Sequence, residues 1–272
     1  MSTEKKLFID DEWKDWIWSN IKKGISKKKI YEDLIANNFD TFTIINELRY
    51  NPNRKLELYS NHVESVIQQL TYMGAERIEA PIPIFRYKNL LSEAECMKII
   101  AIHKEVNQPS TTGQISEAKS DLGRISYSTF YEHQGLLNKY EVLKTLKLKI
   151  IGLMGLPIQL SEQIQGQWYK PDGFYNDHFD AHHVAEKVDP IIGNRTWTCM
   201  INLNVPEEGG ASYFPKLDKS FQPETGQVLI WYNLNEDGLA HPLSLHTGQK
   251  VIKGEKFISN QWFHQFPREL DL

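Results

Sequence analysis

From residue 10 to residue 75 the apolar positions of this chain recur every three or four residues, and from residue 160 onward they alternate with polar ones in short runs broken by turn residues. The first spacing belongs to helices and the second to strands. Trp13, Trp16, Ile17 and Ile21 predict one short helix, and Ser26 caps a second that carries Ile30 and Leu34. Asp40 or Thr41 caps a third with Phe42 and Ile45, and Gly24 separates the first pair. Helices this short are marginal alone and are expected to pack on one another or on a larger domain. Asn51-Pro52-Asn53-Arg54 breaks the pattern. Leu58, Val63, Val66, Ile67 and Leu70 then predict a linker helix over 56–73, ended by Gly74.

A second region opens with a strand over 82–87, and Ser92 with Glu95 forms a capping box for a helix running through His103. Residues 107–121 are polar without a period and read as a mobile loop. A strand at Arg124-Ile125-Ser126 and an amphipathic helix over 136–153, stopped near Gly155-Leu156-Pro157, complete this part. Strands follow at 163–169, 175–180, 196–203, 212–214, 227–232, 244–246 and 256–262, and residues 186–194 read as a second substrate-side loop. The expected architecture is mainly β with flanking helices: two facing antiparallel sheets over 80–272, preceded by a helical accessory region and linker helix over 1–79.

Composition narrows the class. With 272 residues, 40% hydrophobic and 24% charged, the chain can bury a large core, and disorder is excluded. A net charge of −4 gives no overall attraction to nucleic acid. The basic cluster Lys22, Lys23, Lys27, Lys28 and Lys29 reads as a solvated helix face, because no reader pattern accompanies it. No apolar segment of signal-peptide type follows the opening Met1 to Lys6, so a soluble, cytoplasmic protein without membrane contact is expected. The only cysteines, Cys96 and Cys199, are expected to be buried free thiols.

The chemistry centres on His178-Phe179-Asp180. In a strand, residues two apart share a face, so His178 and Asp180 can grip one ion from one side, and one further imidazole completes a facial set. Two neutral nitrogens and a carboxylate leave half an octahedron open, which suits ferrous iron. His246 lies on a strand-like run that Lys253-Gly254-Glu255 joins to the run beginning at Lys256, and a hairpin there would return Lys256 to the metal side. A fixed cation at that place is what a dicarboxylic acid needs.

These residues, with Tyr169 nine positions before His178, resemble the prolyl 4-hydroxylase branch of the iron(II)- and 2-oxoglutarate-dependent dioxygenases over residues 80–266. The resemblance implies a double-stranded β-helix, or jelly roll, with His178, Asp180 and His246 as iron ligands. It implies that Lys256, Tyr169 and Ser212, the last in Gly209-Gly210-Ala211-Ser212, bind the distal carboxylate of 2-oxoglutarate. Tyr175, Arg195 and His264 match positions that surround the substrate proline and the reactive oxygen. Dioxygen is the second cosubstrate, ascorbate is an optional reductant, and the implied reaction hydroxylates a prolyl residue at C4 in a peptide or protein, releasing succinate and CO2. Two departures stand out: Asn202 where a strand tyrosine is common, and His241 where an aspartate is common.

Bland readings apply elsewhere. His182 and His183 read as exposed loop histidines, and Trp168, Trp197, Trp231 and Trp262 as core aromatics of a two-sheet sandwich. Three other functions compete. A hydroxylase of a free amino acid or other small metabolite would favour a closed, charged pocket. A nucleic-acid demethylase would carry a basic face. A silent binding module on the same fold would usually have lost a ligand.

Overall fold

In a computed structural model of the chain, residues 5–48, 57–106, 108–109, 123–132, 135–189 and 192–267 are described. The three N-terminal helices are Asp11–Lys22, Lys27–Ala36 and Thr41–Leu48. Asp10 and Ser26 cap the first two through the amides of Trp13 and Lys29, and the third is capped by Asp40, whose carboxylate takes the Thr43 amide at 3.1 Å. They share a small core of Ile9, Ile17, Ile30, Leu34, Phe39, Ile44 and Leu48, separate from the cores of the sheets. The side chains of Phe42 and Ile45 and the 51–54 breaker lie outside the described residues. The basic cluster is not wholly solvated. Lys29 pairs with Asp33 at 2.7 Å, whereas Lys27 sits 5.2 Å from the Phe266 ring centroid. Burial lowers its amine to about 8 against the attraction of Asp189.

The remainder is a jelly roll. Its major sheet runs, from edge to edge, Glu76–Ile78, Ile84–Tyr87, Val228–Tyr232, Arg195–Asn202, Lys256–His264, Gln165–Tyr169, Tyr127–Phe130 and Gln108–Pro109, antiparallel throughout. The minor sheet runs Lys219–Phe221, Ser212–Phe214, His246–Gly248, Phe174–His178 and Arg124–Ile125. Side chains of the two sheets meet in one cluster that includes Tyr169, Met200, Phe214, Trp231 and Ile258. The anticipated hairpin after His246 is absent. Val251–Lys253 pairs with Glu208–Gly209, and the chain crosses from the minor sheet to the centre of the major one before Lys256. Of the 107–121 loop, Gln108–Pro109 pairs with Tyr127 and Ser128, and the rest lies outside the described residues. The 186–194 segment contains a 3-10 turn at Ala185–Lys187 and a bridge between Asp189 and Gly193, while residues 190 and 191 are not described.

Strand alternation divides the major sheet into two faces. Phe257, Phe263, Trp197, Cys199, Ile201, Val228 and Ile230 point away from the minor sheet, into the core that packs against helices. Those helices are Glu57–Tyr72, Glu93–Val106 and Glu141–Met154. The first is therefore more than a linker, since Val66 and Leu70 are buried in this core. Full burial of each such side chain stabilises by about 1.5–3 kcal/mol. The Ser92/Glu95 capping box forms in both directions, at 3.3 and 2.8 Å. The expected 136–153 helix is split at Tyr140, whose extended backbone separates Leu136–Lys139 from Glu141–Met154, and Gly155 ends the second piece in the left-handed conformation.

Behind the sheet a polar cluster is sealed in. His103 Nε2 pairs with the Tyr131 hydroxyl, which bonds Ser259 Oγ at 3.0 Å. The His103 ring occupies the space over Gly166, where a Cβ would lie 1.8 Å from Cε1. Burial holds His103 at about 3, so it stays neutral. Gly166→Ala is expected to cost about 3 kcal/mol or more by overpacking. Gly152→Ala, in the interior of the Glu141–Met154 helix with nothing within 4 Å of its Cβ, is expected to stabilise by about 0.5–1 kcal/mol. Denaturant unfolding of the two variants checks both signs.

Candidate active site

His178 ends the Phe174–His178 strand and His246 begins the strand beside it, and the two are register partners. Asp180 follows His178 by two residues. One ligand atom from each of the three falls within 4.8 Å of the others, and Asp180 lies 3.9 Å from His178 Nε2 and 3.8 Å from His246 Nε2. Backbone carbonyls select the tautomer: His178 Nδ1–H donates to Asn176 at 2.8 Å and His246 Nδ1–H to Ser244 at 2.9 Å. Both Nε2 lone pairs are thereby free to point into the triad. Burial, and next the neighbouring His246, lower the pKa of His178, which favours the neutral ligand form. Burial alone would raise Asp180, but the two imidazoles, Arg195 and Thr198 turn the balance downward. Two neutral imidazoles and one carboxylate on one side of a cavity fit a six-coordinate ferrous ion with three positions left open.

A shell of hydrogen bonds aims these ligands. Thr198 Oγ1 donates to Asp180 Oδ2 at 2.7 Å and accepts from Asn233 Nδ2 at 2.9 Å, which leaves the hydroxyl proton only one direction. Arg195 donates from NH1 to the Asp180 carbonyl at 3.2 Å and grips Glu162 through Nε and NH2 at 2.5 and 2.9 Å. His264 closes the same group, with Nε2 on Glu162 at 2.5 Å and Nδ1 on the Gly193 carbonyl at 3.0 Å. Burial would raise the Glu162 carboxyl, yet the His264 bond and the Arg195 charge outweigh it and hold it at about 2. Tyr175 stacks on His178 with centroids 3.5 Å apart and carries the Arg124 guanidinium 4.7 Å from its ring centroid.

Lys256 faces Tyr169 directly across the major sheet. It is 3% exposed, donates from Nζ to the Gly210 carbonyl at 2.6 Å, and has no carboxylate within 4.0 Å among the described residues. Burial lowers its amine to about 8. The Gly209-Gly210 pair takes positive φ values of 81° and 73°, and a Cβ on Gly210 would crowd the Lys256 stem at 3.3 Å, so glycine is what lets that carbonyl approach. Tyr169 donates to Gln167 at 2.5 Å, and Ser212 Oγ lies 3.6 Å from Met200 Sδ.

A cavity of about 310 Å³ opens on the triad and is lined also by Tyr169, Tyr175, Arg195, Arg124, Gln165, Gln167, Asn260, Trp231 and Trp262 among others, while Lys256, Ser212 and His264 are not part of that lining. Trp231 and Trp262 thus belong to the cavity wall, while Trp197 and Trp168 pack in the core behind the sheet. Glu162, Thr198, Asn233 and Arg124 were missed by sequence reasoning. A lone loop carboxylate has no local pattern, but the period-two run Gln165, Gln167, Tyr169 was a legible sign of a polar inward face. Of the departures, His241 serves as a neutral cap. Its Nδ1 accepts the Leu243 amide at 3.0 Å, as an aspartate would, and burial lowers its pKa. Asn202 is buried on the inward face opposite Ile258. His182 and His183 stand outside the triad.

Residues 164–264 match the model of the 2OG-Fe(II) oxygenase superfamily. Over those residues the chain resembles that superfamily, and the likeness is of the prolyl 4-hydroxylase type. The chain is 28% identical over 186 residues to a protein of Acanthamoeba polyphaga mimivirus whose prolyl 4-hydroxylase name is provisional, covering 66% of this chain and 74% of that one. Prolyl 4-hydroxylase subunit alpha-1 of Rattus norvegicus is 28% identical over 201 residues, covering 68% of this chain, and the chain spans only 35% of that subunit's length. Among solved structures, a viral collagen prolyl hydroxylase from Paramecium Bursaria Chlorella virus-1 in complex with 2OG superposes with a TM-score of 0.53 at 25% identity, covering 66% of this chain and 95% of that one.

The ligand shell leads to a graded expectation. His246→Ala is expected to abolish tight ferrous binding, since two ligands no longer define a face, whereas Thr198→Val is expected to weaken it by about 10–100-fold by freeing Asp180. Anaerobic metal titration of the two variants against the unaltered protein measures both.

Proposed function

We propose that this chain hydroxylates a prolyl residue, at C4, in a peptide or protein, with 2-oxoglutarate and dioxygen as cosubstrates. The observation that carries the reading is a buried ammonium, Lys256, with only a neutral acceptor, on the inward side of the major sheet, together with a His-Asp-His ligand set at the facing minor sheet. A cation in so dry a place is best satisfied by a carboxylate, and a dicarboxylic keto acid has a second acidic end to offer a metal. We assign His178, Asp180 and His246 to iron, and Lys256, Tyr169 and Ser212 to the distal carboxylate. When bound, iron couples the oxidative decarboxylation of the keto acid to insertion of oxygen into a C–H bond.

The protein's own share is positioning. Tyr169 must turn its single proton from Gln167 toward the incoming carboxylate, while Lys256 keeps one donor on Gly210 and offers the others. On the substrate side we assign Tyr175, Arg195 and His264 to the peptide. Arg195 is fixed by Glu162, with its Cζ 4.1 Å from the Trp262 ring centroid, and Phe130, which lines the cavity and is 42% exposed, supports a chain as substrate over a small metabolite. We keep residues 1–79 as an accessory region and 80–272 as the oxygenase domain, with Glu57–Tyr72 and Glu76–Ile78 as the accessory elements that pack into the oxygenase. Cys96 and Cys199 are buried and free, which supports a reducing, cytoplasmic setting, and no helix among the described residues is long and apolar enough to cross a membrane.

The direct test incubates the iron-loaded protein with 2-oxoglutarate and proline-rich peptides and locates the added oxygen by mass spectrometry; oxygen found only in free amino acids would move the assignment to a small-molecule hydroxylase. Lys256→Ala is expected to weaken apparent 2-oxoglutarate affinity by roughly 30-fold or more while iron binding is unchanged, as for other truncated buried charge pairs. Because burial places the Lys256 amine near 8, its charged form is lost as pH rises through that value. The affinity for 2-oxoglutarate is therefore expected to be full below pH 8 and to fall by about tenfold per pH unit above it, with proton uptake on binding. Calorimetry in two buffers of different ionisation heat reads that uptake.

A further inference from the structure

We infer that Lys147, together with Glu132, is a positioning residue for the substrate side of the site: it holds the backbone carbonyl of Glu162 and so aims the carboxylate that clamps Arg195 and His264. Glu162 lies outside any strand, between the 3-10 turn Ile158–Leu160 and the strand Gln165–Tyr169. Its amide donates to the Trp262 carbonyl at 2.8 Å. Its carbonyl accepts two further donors, Lys147 Nζ at 2.6 Å and Gln261 Nε2 at 2.6 Å. The Lys147 ammonium also pairs with Glu132 Oε1 at 3.1 Å, and Glu132 Oε2 takes the Ile164 amide at 2.9 Å. Ammonium, carboxylate, amide and carbonyl thus close a ring around residues 162–164, anchored to the Glu141–Met154 helix.

An ion pair at this place needs a reason. The Lys147 side chain is 9% accessible and rises from the helix among Leu143, Leu146 and Ile150, where an apolar residue would cover the core without desolvating a charge. What the ammonium adds is direction. The Glu162 carboxylate sits at the end of a short irregular segment, and a shift of that segment carries Arg195 and His264 with it, and through Arg195 the Asp180 carbonyl. Neither Lys147 nor Glu132 lines the cavity, and both act through the Glu162 segment.

The inference rests on the proposed prolyl hydroxylase reading only for what the substrate side binds. The test compares the full chain with Lys147→Met, Glu132→Gln and the double variant, each loaded with zinc so that nothing turns over. Calorimetry gives the affinities for 2-oxoglutarate and for a poly(L-proline) peptide, thermal unfolding gives Tm, and proton–nitrogen NMR follows the His264 ring N–H groups. Lys147→Met is expected to lose Tm, because the half-buried Glu132 carboxylate loses its ion partner and keeps only the Ile164 amide, and to weaken peptide binding by about tenfold, the loss of one charge-assisted hydrogen bond. Its 2-oxoglutarate affinity is expected to stay within about twofold. The double variant is expected to regain Tm but not peptide affinity, with the His264 resonances displaced in both. A double variant that regains Tm and also binds peptide like the unaltered protein would overturn the inference, as would 2-oxoglutarate affinity falling in step with peptide affinity. Should the unaltered protein bind 2-oxoglutarate but no proline peptide, the functional reading fails by itself. The His264 resonances then decide alone: displaced in the double variant they uphold the positioning role, and unmoved they overturn it.

Discussion

The register of one strand constrains everything else. Along Lys256–His264 the residues Lys256, Ile258, Asn260, Trp262 and His264 face inward, and Phe257, Ser259, Gln261 and Phe263 face the helices. The first set supplies the cosubstrate cation, three cavity-lining side chains and the imidazole on Glu162; the second supplies core packing and the polar contacts to Tyr131 and the Glu162 carbonyl. A slip of one residue would exchange the two sets, burying Lys256 among helices and turning Phe257 into the cavity. Neighbours on both sides prevent it, because the strand is paired with Gln165–Tyr169 and Arg195–Asn202 over most of its length.

From that register the site divides into two halves. The Lys256 end is dry and short of anions, with an ammonium, a phenol and a hydroxyl on its walls. The His264 end has its charge already balanced by Glu162, and its groups are held for orientation instead of charge. This asymmetry fits the two ligands the site is proposed to bind. A dicarboxylate brings charge and needs a partner for it, whereas a prolyl peptide brings none and needs shape and direction. The triad lies where the two sheets approach, so each half reaches it from its own side.

Much of this was legible in the chain, for local reasons. Strand and helix types follow from apolar periods, and the capping box at Ser92 and Glu95 forms as its spacing predicts. The His-x-Asp spacing made His178 and Asp180 legible, although the strand ends at His178 and Asp180 lies in the bend beyond it. The errors came where one local pattern allowed two outcomes. Lys253-Gly254-Glu255 signals a turn, but a turn does not say whether the next strand pairs with the last one or crosses to the other sheet. Lys27 carries the same charge as its neighbours, and only the approach of Phe266 and Asp189 distinguishes it.

By itself, then, the amino-acid sequence determined the longest strands but not the short ones such as Tyr127–Phe130 and Lys219–Phe221, and it determined the residue types able to hold iron and a dicarboxylate, because these depend on spacings of a few residues. The tertiary structure decided what meets across long separations: His246 beside His178, Lys256 opposite Tyr169, and Glu162 between Arg195 and His264 with its carbonyl on Lys147. Glu162 is the clearest case. A single carboxylate in an irregular segment carries no periodic signal, and its role exists only once a helix, a loop and two strands have converged on it.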